Sequence, residues 1–179
     1  MKTKNNRWHL NQAWAHHQSI LVAFFLLVSL GLQAADGKKP REYPTLFKTV
    51  EVEGINIFYR EAGDRNKPTL LLLHGYPTSS HMFRNLISDL SDRYHLLAPD
   101  YPGYGRSDQP AMSEFDYTFD HLAEIVDGFL DALSIERFSI YLMDYGAPVG
   151  YRIALKHPEK VQALIVQNGN AYQEGLTDF

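Results

Sequence analysis

The sequence predicts an α/β protein: a mostly parallel sheet with helices packed on both of its faces. Three observations carry that expectation. Two short segments of alternating apolar character, joined by Glu53-Gly54, open the regular part of the chain as a hairpin would. After them, apolar runs of strand length alternate with stretches of helical periodicity, the order that builds a parallel sheet with crossover helices. Finally, three of the strand ends run into motifs rich in Gly and Pro, and in open α/β sheets the chemistry sits at the carboxyl ends of the strands.

The elements follow in order. Residues 47–52 and 55–62 are the two arms of the hairpin. Residues 69–73 (TLLLL) are continuously apolar, as expected of a strand buried on both faces. Residues 79–92 predict a helix, with Met82, Phe83, Leu86, Ile87 and Leu90 at helical spacing, and 95–98 a short strand. The clearest helix spans 118–133, where Leu122, Ile125, Val126, Phe129, Leu130 and Leu133 form one stripe. A strand over 138–143, a helix over 146–157 stopped by Pro158, and a strand over 161–167 complete the pattern. No internal repeat or low-complexity tract interrupts it.

Composition excludes several classes of function. The chain has 179 residues, 45% hydrophobic and 21% charged, enough to build one core. A net charge of −4 removes bulk positive charge as a means of holding nucleic acid, so no nucleic-acid partner is expected. The absence of cysteine excludes disulfides, thiolate metal sites and a thiol nucleophile. No metal and no cofactor is expected.

The N-terminus differs from the rest. Lys2, Lys4 and Arg7 precede any acidic residue, residues 20–30 are an apolar run with one Ser, and Leu32-Gln33-Ala34 ends it on a small residue. This reads as a secretory signal peptide over 1–34, giving an exported protein, periplasmic or secreted, with no stable membrane insertion after cleavage. The alternative is an uncleaved anchor, for which the run is short against the roughly 20 residues a bilayer needs. Residues 35–45, polar with two prolines, are a linker, and 46–179 hold the folded domain.

The strand-end motifs carry the chemistry. The third strand ends in His74-Gly75-Tyr76-Pro77, the fourth in the stretch 100–108 (DYPGYGRSD), and the fifth in 143–150 (MDYGAPVG). The last runs straight into a helix. A nucleophile at the tip of such a turn needs small neighbours; Gly146 supplies one, and Gly150 lets the helix pack closely on the sheet. The tip is Asp144, where an esterase would have Ser, and no G-x-S-x-G occurs in the sequence. A carboxylate there suits attack on an sp3 carbon, forming an alkyl-enzyme ester that water later cleaves. The bland alternative is that Asp144 caps the following helix. Gly75 allows close backbone approach before the turn at Pro77, and the N–H groups of Tyr76 and Tyr145 together are a candidate oxyanion hole. His74 reads as a structural hydrogen-bonding residue. Gly103 and Gly105 shape the turn after the fourth strand, with Asp100, Arg106 and Asp108 fixing it by polar contacts.

In that order and spacing, the motifs over 74–80, 100–108 and 143–150 resemble the α/β-hydrolase fold family, over about residues 46–170. They are most similar to its branch with an aspartate nucleophile, the haloalkane dehalogenases and epoxide hydrolases. The resemblance implies a hydrolase acting on a small organic substrate, with Asp144 as nucleophile and the Tyr76 and Tyr145 N–H groups as oxyanion donors. Dehalogenases of this branch usually carry Trp after the nucleophile, and many carry Asn after His-Gly; here Tyr145 and Tyr76 stand there, so the halide signature is not met. Epoxide hydrolases place their ring-opening tyrosines in a lid beyond this stretch. Leu142, two residues before the nucleophile, replaces a small residue. The family's catalytic His lies after the last strand, whereas after Asp144 this sequence has only His157, which precedes Pro158 and reads as a helix C-cap. The expectation is therefore the N-terminal part of a hydrolase domain, incomplete at its C-terminus, with full turnover doubtful. The alternative is a truncated remnant without catalysis.

Overall fold

The computed structural model describes residues 43–171. The signal peptide and most of the linker expected from the sequence lie outside the described residues. Six strands, β1 (Leu46–Val52), β2 (Ile55–Ala62), β3 (Thr69–Leu73), β4 (His95–Pro99), β5 (Phe138–Met143) and β6 (Val161–Gln167), form one sheet in the order β1-β2-β4-β3-β5-β6. The hairpin pairing β1–β2 and the pairing β2–β4 are antiparallel; β4–β3, β3–β5 and β5–β6 are parallel. Glu53 (φ 53°) and Gly54 (φ 78°) form the hairpin turn, both in the left-handed region that two-residue hairpins require.

The predicted helix over 79–92 is divided. A 3-10 turn, Ser80–Phe83, leads into α1, Arg84–Leu90. The Ser79 side chain accepts from the His81 N–H, and the Ser80 N–H donates to the buried Asp100 carboxylate at 2.6 Å, which tightens this start. Helices α2 (Phe119–Ala132) and α3 (Gly146–Lys156) fall within a residue or so of expectation, α2 with the Thr118 hydroxyl capping the His121 N–H.

Topology explains the two layers of helices. The β3-to-β4 crossover steps one way along the sheet, while β4-to-β5 and β5-to-β6 step the other way. Right-handed crossovers in opposite directions put their helices on opposite faces. Leu71, Leu73, Leu97, Ile140 and Leu142 accordingly pack under Ile125, Phe129 and Leu130 of α2 and Ile153 of α3. Leu70, Leu72, Leu96 and Ala98 meet Phe83 and Ile87 on the other side. The central strand β3 is thus apolar on both faces, and that is why its sequence does not alternate.

Two features were not singled out in the sequence. Glu61 is buried in β2 yet charged: Lys48 (2.6 Å), Arg65 (2.9 Å) and His95 (2.9 Å) all bond its carboxylate. Burial alone would raise this carboxyl, but the hydrogen bonds from Arg65, Lys48 and His95 prevail and bring it to about 2. Secondly, β6 is an edge strand among the described residues, and its Leu164, Ile165 and Val166 are all exposed.

Candidate active site

Because β3 lies between β4 and β5, the three motif-bearing strand ends are neighbours in space. This is where the strand order reverses, the place where open α/β sheets bind ligands. The sequence-predicted residues are therefore brought together by topology, although up to 72 positions, His74 to Gly146, separate them.

Asp144 stands at the tip of the β5–α3 turn with φ 51°, a left-handed conformation that costs a non-glycine residue energy. Its Oδ1 accepts two main-chain hydrogen bonds, from the Tyr76 N–H (2.8 Å) and the Tyr145 N–H (2.7 Å). Among the described residues, Oδ2 accepts no hydrogen bond from any partner. One oxygen is held and the other is free, exposed and available for attack. The helix-capping alternative is not what the side chain does: α3 has no side-chain cap, and Asp144 meets the helix through its main-chain oxygen, which accepts from the Ala147 N–H.

Small residues make this geometry accessible. A Cβ on Gly75 would lie 2.5 Å from the Asp144 Cβ, and one on Gly146 would fall inside contact distance of the Leu73 carbonyl. Leu142 needs no smaller replacement. Its side chain is fully buried and passes over Gly150, where a Cβ would meet it at 2.5 Å, so the room comes from α3. Pro77 follows Tyr76 across a cis peptide bond.

Below the site, His74 is fully buried. Its Nε2 accepts the Tyr101 N–H (3.3 Å), so Nδ1 carries the proton and donates to the Gly75 carbonyl (3.0 Å). Burial pushes this imidazole below its usual value, the Gly75 bond opposing, and it is neutral. With both nitrogens committed, His74 fixes the loop that presents the Tyr76 N–H. Asp100 does the same for the neighbouring turn. Its carboxylate accepts from the Ser80 and Arg106 N–H groups (2.6 and 2.9 Å), and a Cβ on Gly105 would collide with it. Arg106 contributes through its main chain, while its guanidinium lies over the Phe58 ring. Asp108 bonds the Asn56 N–H and side chain, and Gly103 (φ 81°) donates to the Asp108 carbonyl. Ser107 was missed in the sequence: it accepts the Phe58 N–H and donates to the Asp100 carbonyl, tying this turn to β2.

Four aromatic rings form a chain beside the Asp144 turn. Tyr76 and Tyr145 lie 5.4 Å apart, Tyr76 meets Tyr104 edge-on at 6.5 Å, and Tyr145 meets Phe119 edge-on at 5.0 Å. Tyr104 and Phe119 were not singled out, since an aromatic residue in a loop gives no signal of which strand end it will face. His157 is placed elsewhere. It ends α3, as read from Pro158, and its Nε2 bonds Asp127 of α2 at 2.9 Å. Among the described residues no group of three His, Asp or Glu side chains stands ready for a metal.

A mostly parallel sheet whose adjacent strand ends turn two main-chain N–H groups onto one carboxylate, at a sharp strand-to-helix turn, defines a class of α/β proteins built around a nucleophile position. The sequence profile of the alpha/beta hydrolase fold matches residues 68–178, and the chain belongs to that family. It is 50% identical over 133 residues to an uncharacterized hydrolase of Saccharomyces cerevisiae, covering 74% of this chain and 45% of the relative. It is 35% identical over 116 residues to a haloalkane dehalogenase of Mycolicibacterium paratuberculosis, covering 64% and 38%. Among solved structures, the haloalkane dehalogenase DbeA from Bradyrhizobium elkani superimposes with a TM-score of 0.67 at 31% identity, over 70% of this chain and 42% of that one. The chain spans less than half the length of these relatives.

Proposed function

We propose that the chain carries the nucleophile half of a hydrolase acting on small organic electrophiles, of the epoxide-hydrolase or haloalkane-dehalogenase type. One observation carries the reading: Asp144 is held at a strained turn with Oδ1 in two main-chain N–H bonds and Oδ2 free. A carboxylate ionised near neutral pH attacks an alkyl carbon without a base. Oδ2 forms the new bond to carbon while the leaving group departs with its electron pair. The two N–H groups then hold the carbonyl oxygen of the ester and are placed for the charge that develops there when water attacks.

Water activation is the step the described residues do not supply. His74 is buried with both nitrogens committed, and His157 is bound to Asp127. General-base help is worth about 10²- to 10⁴-fold, so a trapped ester rather than turnover is expected of the described residues. The test is intact mass spectrometry after incubation with an epoxide or a haloalkane. A single stable adduct, mapped by digestion to Asp144 and abolished in Asp144→Asn, is expected. Sustained multiple turnover, or adducts that persist in Asp144→Asn, would overturn the assignment.

A further inference from the structure

The opposite end of the sheet carries a cleft that the Asp144 chemistry does not use. At the amino ends of β3, β5 and β6, the segments 65–69 and 134–137 and Gln162 enclose an open space of about 400 Å³. Extended chain from Thr69 to Gly75, rising about 3.3 Å per residue, puts it roughly 20 Å from Asp144. Its size lies in the range of small-molecule sites. Its lining runs against the charge of the chain. The protein has a net charge of −4, yet Arg65, Lys67 and Arg137 line the cleft against one acid, Glu136.

None of the three cations has a carboxylate to itself. Arg137 is exposed and, among the described residues, forms no ion pair. Lys67 donates to a main-chain oxygen, that of Asp92. Arg65 bonds Glu61 through Nε and shares that carboxylate with Lys48 and His95, which fixes its guanidinium and leaves both Nη groups without a partner among the described residues. The nearby Asp64 carboxylate is turned onto its own loop, where it accepts from the Asn66 N–H and side chain. The helix end beside the cleft is closed as well: the Leu130 and Asp131 carbonyls of α2 accept the Ile135 and Ser134 N–H groups. Three cations against one acid leave an excess of two positive charges. A carboxylate brings one negative charge, whereas a phosphate monoester brings close to two and three acceptor oxygens, which suit forked arginine donors. A bare phosphate fills only part of the space, and Pro68 and Ile135 add an apolar wall. We propose that this cleft binds a small organic phosphate, its phosphate held by Arg65, Lys67 and Arg137 and its organic part against Pro68 and Ile135. The site is independent of the role given to Asp144.

The experiment is isothermal titration of the full 179-residue chain with phenyl phosphate at constant ionic strength, beside inorganic phosphate and phenol. Saturable one-to-one binding of phenyl phosphate is expected, tighter than that of inorganic phosphate, with no binding of phenol. Arg137→Gln removes a charged donor and should weaken phenyl phosphate about 10-fold. Glu136→Gln removes the one acid and should tighten it. Both positions are exposed and lie in the loop between α2 and β5, so neither change touches the core, and the Asp144 adduct should form at the wild-type rate in both variants. Absence of saturable binding, equal affinity in wild type and Arg137→Gln, or displacement by an equal concentration of chloride would overturn the site. Inorganic phosphate binding as tightly as phenyl phosphate would overturn the organic ligand.

Discussion

At the scale of single residues, two close approaches hold the site. Gly75 faces the Asp144 Cβ, so Gly75→Ala has to displace one strand end from the other. The expected outcome is a folded protein in which alkylation of Asp144 falls by at least 10-fold, because both main-chain N–H bonds to Asp144 depend on this spacing and, under the proposed function, each such donor is worth roughly 10²-fold. Glu61 is the opposite kind of residue, remote from the site and important to stability. Its carboxyl sits at about 2, below its ordinary 4.5, after the bonds from Arg65, Lys48 and His95 overcome burial. A folded-state value below the unfolded one means stability that is complete above pH 4.5 and lost as pH falls towards 2. The shift corresponds to at most about 3 kcal/mol, less after allowing for the exposed Lys48 and Arg65. Urea denaturation should show Glu61→Gln clearly less stable than wild type at pH 7, with the gap closing below pH 4.5.

At the scale of elements, the β4–α2 and β5–α3 units are joined by charge as well as by core contacts. Asp127 of α2 receives Lys156 (2.8 Å) and His157 (2.9 Å) from the end of α3. Burial alone would raise its carboxyl, but hydrogen bonds from Lys156 and His157 hold it below the usual range. Cations at a helix C-terminus are also favoured by the helix dipole. His157→Ala is expected to destabilise the fold by about 1 kcal/mol. The rate of adduct formation at Asp144 should not change, because His157 bonds Asp127 of α2 and takes no part in the nucleophile turn. A large loss of alkylation in a folded His157→Ala protein would place this imidazole in the chemistry after all.

At the scale of the molecule, the exposed strand β6 gives a prediction about behaviour in solution. Leu164, Ile165 and Val166 are 41%, 44% and 48% exposed on a strand that lies at the sheet edge among the described residues, and an apolar strand edge is a template for further pairing. The 179-residue chain is expected to self-associate, and Ile165→Lys to shift it towards monomer in light scattering without loss of the Asp144 adduct. The basic start, the apolar run over 20–30 and Ala34 lead us to propose export with cleavage at this point. N-terminal sequencing of protein expressed in a bacterial host should begin at or near Ala35, whereas an intact Met1 in the membrane fraction would point to an anchor.

The sequence by itself determined the α/β class, nearly every strand and helix, and the position of Asp144. These are legible because they are local: strand-length apolar runs, a helical stripe over 118–133, and a strand-to-helix turn in which glycines follow one acidic residue. The break between Ser80–Phe83 and α1 was not legible, because a buried carboxylate from another strand, Asp100, imposes it. The same holds for Glu61, whose three partners lie in β1, β4 and the turn after β2, and for Leu142, whose room is made by Gly150 of the next helix. Tertiary structure alone decided that Oδ1 is gripped and Oδ2 free, and that four aromatic rings from three loops and a helix share one rim. The physical reason is the strand order. With β3 set between β4 and β5, residues distant in the chain meet at adjacent strand ends, and that order is fixed by crossover handedness and two-faced burial across the whole sheet.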